Sequence, residues 1–257
     1  MSAITHSSLY SLQFFGWNIA RLIGGAALAV AALLMTGCAS TQATDPRDPF
    51  EGYNRSMTSF NNNVDKAVLK PIATGYREVV PQPIRTGVNN FFGNLDDLWN
   101  MVNYALQGKG EKAYNHMVRF TTNTVLGLGG VLDIATPMQI VSEPQDFGQT
   151  LAYWGVKPGP YLVLPFLGPS TLRDTVALPA NWVGHPADSM YPVSVRNSLI
   201  GLRLVNVRSN LLDAGDTLEA ASLDPYVLLR DFYLKKRDPG SAQVEDDDAG
   251  KVESYDD

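Results

Sequence analysis

The chain has 257 residues, 45% of them hydrophobic, enough for one large domain with a real core even after a leader is set aside. Its single cysteine excludes an intramolecular disulfide, so burial alone must hold the fold. The net charge of −6 belongs to a tail: Asp238 to Asp257 carries eight acidic residues and one lysine, leaving 18 basic and 18 acidic residues in Cys38 to Arg237, and a neutral body excludes the basic face that nucleic-acid binding demands.

In chain order, Arg21 is the sole basic side chain before an uncharged run, Leu22 to Met35, which ends on Leu33-Leu34-Met35-Thr36-Gly37-Cys38. A basic flank, an apolar segment and a small-residue exit are the parts of a secretory signal. The run is shorter than the ~20 apolar residues of a spanning helix. Residues 1–37 are therefore expected to be a lipoprotein signal peptide, with Cys38 the acylated first residue of the mature protein. Met35 stands where such a motif usually has Leu, and Ala39 after the cysteine resembles the sorting context of outer-membrane lipoproteins. Two or three acyl chains on Cys38 would tether the protein stably to a bilayer.

Residues 38–47 read as a polar linker and 48–237 as the folded domain. Asp48 can cap a first helix, with Pro49 at its first position and Glu51 reaching back. Tyr53, Met57, Phe60, Val64 and Ala67 continue at helical spacing, and Pro71 is expected to end or kink the helix. After Pro81 and Pro83, Val88 to Gln107 has the strongest helical period, with Phe91, Phe92, Leu95, Leu98, Trp99, Val102 and Leu106 on one side and Asn89, Asn90, Asn94, Asp97 and Asn100 mostly elsewhere. Gly108 and Gly110 break it before a helix over Glu111 to Leu126. Gly127 to Leu132 is a glycine-rich link without the spacing of a dinucleotide fingerprint.

Phe147 to Pro169, rich in glycine and proline, is the part least suited to helix, and Tyr161 to Leu164 suits a short strand. A helix start is expected at Ser170 to Asp174, a proline-interrupted connection over Pro179 to Pro192, a long helix from Val193 to about Ala214, and a last one from Asp224-Pro225 to Lys235-Lys236-Arg237. Residues 238–257 read as an acidic, solvated tail.

No catalytic set emerges. His116 and His185 lie in unrelated contexts, without the spacing of a zinc site or triad, and read as packed or surface histidines. Neither a G-x-S-x-G elbow nor a P-loop occurs. Asp96 and Asp97, as neighbours on a helix, point about 100° apart and read as a solvated face.

Asp48 to Arg55, Pro81 to Arg85, Asn90 to Leu95, Leu106-Gln107-Gly108, Asp146 to Leu151, Gly159 to Pro165, Gly168-Pro169-Ser170, Arg173-Asp174 and Asp224-Pro225-Tyr226 together resemble the VacJ/MlaA family of outer-membrane lipoproteins. The resemblance runs over about Asp48 to Arg237, and its collinear blocks are more specific together than any one alone. Phe60-Asn61-Asn62-Asn63 departs from it, since relatives often have a second aromatic near Asn62.

The resemblance implies a mostly α, single-domain ring of amphipathic helices around an amphipathic channel, with a Gly/Pro-rich loop or short hairpin. It implies residence in the inner leaflet of a Gram-negative outer membrane, facing the periplasm, with trimeric porins, phospholipid and a periplasmic lipid-carrier protein as partners, and no cofactor or metal. The implied task is removal of mislocalised phospholipid from the outer leaflet and delivery towards an inner-membrane transport system. Candidate passage residues, polar and within the family blocks, are Asn54, Arg55, Asn94, Asp146, Arg173 and Asp174. Two other readings stand beside this one: a structural envelope lipoprotein that binds porins without moving lipid, and a hydrolase using Ser170 or Ser189 with no evident base.

Overall fold

The computed structural model describes residues 45–238. The signal peptide, Cys38, most of the linker and nearly all of the acidic tail lie outside the described residues.

The described chain is mostly helical, as expected. Helix α1 (Glu51–Val64) runs through a π-helical turn, Asp65–Leu69, into α2 (Lys70–Val79). Pro71 does not end this rod. It sits in the first turn of α2, directly after the turn whose wider i→i+5 register accommodates a residue that lacks an N–H and crowds the carbonyl four places back. Asp48 does not cap α1 either: no side chain caps it, and Glu51 pairs with Arg55 at 2.8 Å.

Helix α3 (Gln82–Leu106) starts six residues earlier than its apolar period, because Pro83 fits the first turn, where an N–H has no partner to lose. It packs along α4 (Gly110–Val125). Helix α5 (Phe147–Tyr153) corrects the reading of 147–169: Asp146 Oδ1 accepts from Gln149 N at 2.9 Å, and this cap starts a helix where glycine argues against one. The strands β1 (Tyr161–Leu164) and β2 (Gly168–Thr171) form an antiparallel hairpin with Tyr161 opposite Thr171 and Leu164 opposite Gly168.

Helix α6 (Leu172–Gly184) is capped by Thr171, whose Oγ1 accepts from Asp174 N at 3.2 Å. It carries Pro179 inside it rather than ending there, and it packs against α5. A 3-10 turn, Pro186–Ser189, leads to α7 (Val193–Asn210). The long last-but-one helix breaks at Leu211 into a separate α8 (Leu212–Ala221). Helix α9 (Pro225–Lys236) is capped by Asp224, which accepts from Tyr226 N at 3.1 Å.

These elements touch in a closed circuit. Helix α1 packs on β1, α2 on α7, α7 on α3, α3 on α5, α5 on α6, α6 on β2, and β2 pairs with β1. A conventional core is small: Tyr161, Val163, Tyr226 and Leu234, with Met57, Val227 and Tyr233 against it. No described helix is long and apolar enough to cross a membrane.

Candidate functional site

The long amphipathic pair turns its polar side inward. In α3 the buried positions include Asn94, Asp97, Asn100 and Asn103, whereas Ile84, Val102 and Leu106 are exposed; in α4, His116, Arg119 and Asn123 are buried, whereas Tyr114, Met117 and Val125 are exposed. A water-soluble helix pair does the reverse, because each apolar side chain left in water forgoes roughly 1.5–3 kcal/mol. Asp97 is 1% exposed, which corrects its reading as a solvated face. Its carboxylate meets His116 Nδ1 at 2.7 Å and Arg119 Nε at 3.3 Å, and accepts from Ser142 Oγ at 3.2 Å.

Arg119 extends this network to Thr136 Oγ1 at 3.2 Å, to Asp133 at 3.5 Å and to the Ile140 carbonyl. Burial would raise the Asp133 carboxyl, but the hydrogen bonds from Thr136 and the Arg119 charge outweigh it and hold the group below its ordinary range. His116 also stacks on Tyr104, with centroids 5.3 Å apart.

Asp96 serves the opposite side of α3. It pairs with His185 and receives Arg203 Nη2 on both oxygens, at 2.8 and 3.0 Å. The two histidines, unrelated in sequence, thus each bind one of the adjacent carboxylates. This group borders an open cavity of about 460 Å³ lined by α3, the loop before α5, the end of α6, the 3-10 turn and α7. Its walls include Trp99 and Trp182, the amides of Asn100, Gln145 and Asn181, and the carboxylates of Asp96, Asp146 and Asp188. Trp99 is fixed there: its Nε1 donates to Asn181 Oδ1 at 3.0 Å, and its ring lies against the backbone of Gly184, where any Cβ would overlap it.

The six candidate residues fall into three places. Asn54 is fully buried; its Nδ2 donates to Asp48 Oδ1 at 2.7 Å and to the Tyr161 carbonyl at 3.0 Å, and its Oδ1 accepts from Val163 N at 2.8 Å. Asp48 is also held by the Tyr226 hydroxyl and by Arg230 Nη1 at 3.4 Å. Arg55 bonds Asp224 Oδ2 at 2.8 Å and lies over the Tyr226 ring at 4.4 Å. The Arg55 guanidinium holds the Asp224 carboxyl below the usual carboxylate range. Both residues therefore fasten α1 to the hairpin and to α9.

Asn94 is in the second place, between α3 and the link after α4. Its Nδ2 donates to Thr124 Oγ1 at 2.9 Å, and its side chain fills the space against Gly130, at φ +92°, that a Cβ there would need. The remaining three, Asp146, Arg173 and Asp174, gather with α9. Arg237 Nη1 reaches Asp146 Oδ2 at 2.5 Å, Tyr233 OH donates to Asp174 Oδ2 at 3.0 Å, and Arg173 Nε donates to Asp174 Oδ1 at 3.0 Å. Only Asp146 of the six lines the cavity.

Sequence reasoning misses Asn61, seven residues after Asn54 on the same face of α1. Its Nδ2 donates to the Leu164 carbonyl at 2.9 Å and its Oδ1 accepts from Phe166 N at 2.8 Å, so two amides bind the open edge of β1 and its turn. The spacing of seven is the available signal. Trp99, His185, Asp188 and Arg203, scattered over a hundred positions, offer no such signal. Among the described residues, no group of His, Cys, Asp and Glu could hold a metal ion.

Comparison with known proteins agrees with this architecture. A family model described as MlaA lipoprotein matches residues 46–239. The chain is 41% identical over 225 residues to the intermembrane phospholipid transport system lipoprotein MlaA of Escherichia coli (strain K12), covering 82% of this chain and 86% of that one. It is 34% identical over 223 residues to the protein of the same name from Haemophilus influenzae, covering 80% and 85%. A chain from the solved structure described as "Structural basis for maintenance of bacterial outer membrane lipid asymmetry" superposes with a TM-score of 0.62 at 37% identity, covering 74% of this chain and 96% of that chain. With the family model matching most of the chain and relatives this similar over most of their length, the chain belongs to the MlaA lipoprotein family.

Proposed function

We propose that this protein is an outer-membrane lipoprotein that takes mislocalised phospholipid from the outer leaflet and passes it towards a periplasmic carrier. The observation that carries the reading is the inverted burial of α3 and α4, in a chain of this family. Apolar side chains that face outward are stable where the surroundings are lipid, and polar side chains that face inward give a headgroup somewhere to go.

The energetic need is plain. Removing a two-chain lipid from a bilayer exposes about 30 methylenes at ~0.8 kcal/mol each, and moving its headgroup through hydrocarbon adds a further barrier. A passage with polar walls, bordered by apolar surfaces, lowers both without any bond being made or broken, so the protein works as a conduit rather than an enzyme. The closed circuit of contacts supports such a passage within the ring. In it, Asp146 meets the lipid, while Asn54, Arg55, Asn94, Arg173 and Asp174 hold the walls in place. Cys38 carries the acyl anchor in the inner leaflet, the exposed apolar belt accommodates lipid and trimeric porins, and a periplasmic carrier receives the cargo.

The test is lipid extraction from purified native protein and from Cys38→Ala. Noncovalent phospholipid on both is expected. If neither carried any beyond the covalent acyl chains of the native form, the protein would be a scaffold that binds envelope partners without moving lipid.

A further inference from the structure

The cavity beside α3 has a charge pattern that selects among ligands. Asp96, Asp146 and Asp188 face it against Arg203 and His185, so carboxylates outnumber guanidinium groups three to one. Arg203 is occupied: Nη2 spans both oxygens of Asp96, and Nη1 lies 3.0 Å from His185 Nε2. The lining residues therefore offer an entering group carboxylates rather than an open guanidinium.

Asp188 differs from its neighbours. Asp96 is neutralised by Arg203, and Asp146 is taken by Arg237. The nearest basic side chain to Asp188 is His185, whose Nδ1 lies at 3.8 Å, beyond hydrogen-bond distance. His185 is itself only 6% exposed, and its Nδ1 has no hydrogen-bond partner. A buried ring nitrogen and a carboxylate that do not quite meet leave polar capacity for a third group. The remaining walls are polar amides, small residues and two indoles, Trp99, locked on Asn181 and Gly184, and Trp182, half exposed. A carboxylate and two indoles lining one cavity suit an ammonium ion, which a ring quadrupole attracts and a carboxylate neutralises. The volume suits a headgroup and not two acyl chains.

We propose that this cavity is a headgroup subsite for phospholipids that end in an ammonium group, with Asp188 as counter-ion and Trp99 and Trp182 as walls, and that it discriminates against glycerol headgroups. The inference rests on the phospholipid-transport reading but goes beyond it, by assigning a preference to one place. Ammonium-terminated and glycerol-terminated lipids share the phosphate, so the difference lies in the terminal group that Asp188 meets.

The full-length protein in detergent is incubated with vesicles of equimolar phosphatidylethanolamine and phosphatidylglycerol, repurified, and its bound lipid quantified by mass spectrometry. The native protein is expected to enrich phosphatidylethanolamine on the order of tenfold, about 1.4 kcal/mol. Asp188→Asn is expected to bring the ratio near one, and Trp182→Leu to lower it part of the way, with thermal melts showing that both variants fold. A ratio near one in the native protein, or an unchanged ratio in folded Asp188→Asn, overturns the proposal. Soluble glycerophosphoethanolamine and glycerophosphoglycerol, titrated separately and followed by tryptophan fluorescence, form the second arm. Should no lipid be retained by any form, the transport reading fails; preferential binding of the soluble ethanolamine ester that Asp188→Asn abolishes would still sustain an ammonium site, and equal binding or none would end it.

Discussion

Around the hairpin, Tyr161, Val163, Tyr226 and Leu234 pack into an apolar cluster, whereas between α3 and α4 the buried side chains are Asp97, Asn100, Asn103, His116 and Arg119. The first corner is held together as a water-soluble domain is, by removing apolar surface from water. The second is held by hydrogen bonds and ion pairs that are strong because they are buried, while Val102, Leu106, Met117 and Val125 remain outside. The difference teaches that one molecule uses two kinds of interior. The hairpin corner keeps apolar surface inside, whereas the α3–α4 face leaves it outside, an arrangement that the proposed lipid surroundings would favour.

The sharpest way to break this comparison is to remove the charge at the centre of the polar corner. Asp97→Asn leaves Arg119 buried with only Asp133, at 3.5 Å, as counter-charge. Loss of one member of a buried pair costs about 3–5 kcal/mol, and the lower end is expected here because Asp133 remains. A denaturant melt in mild detergent reads the loss; a change below about 1 kcal/mol would mean that the network does not hold the pair.

An effect of comparable size is expected at the hairpin corner from Asn54→Ala. It leaves the Tyr161 carbonyl and Val163 N–H without their side-chain partners, at about 1–3 kcal/mol for each buried group so stranded. Amide hydrogen exchange of Val163 should accelerate, while that of α3 stays as it was. Acceleration in both would show that the two corners unfold as one.

The smallest change in stability is expected on the outer surface. Leu126→Lys, at a position 62% exposed, should alter the melting free energy by no more than about 0.5 kcal/mol. It should nevertheless weaken vesicle flotation of Cys38→Ala protein, since apolar contact with the bilayer is what the substitution removes. Unchanged flotation would place this surface away from lipid.

Much of the fold is legible in residues whose effect is local. Asp224-Pro225 starts α9, Thr171 starts α6, the glycines at 108 and 110 separate α3 from α4, and Tyr161 to Leu164 is a strand, because caps, turns and short apolar runs act within a few residues. Periodicity also finds the two faces of α3. It does not say which face is inside, since a helix with an apolar stripe buries that stripe in water and exposes it in lipid. Asp97 is misread for this reason.

Prolines mislead for a related one. Pro71 and Pro179 disfavour helix locally, yet a π-turn precedes the first, the helix that carries the second packs against α5, and both helices continue. The sequence by itself determined the family, the main helices, the helix start at Asp224, and the absence of familiar catalytic motifs. The tertiary structure alone decided that Asp96 and Asp97 serve two histidines on opposite sides of α3, and that Trp99, His185, Asp188 and Arg203 share one cavity. Those contacts join residues up to 107 positions apart, and the energy of a buried charge depends on its surroundings in space rather than on its neighbours along the chain.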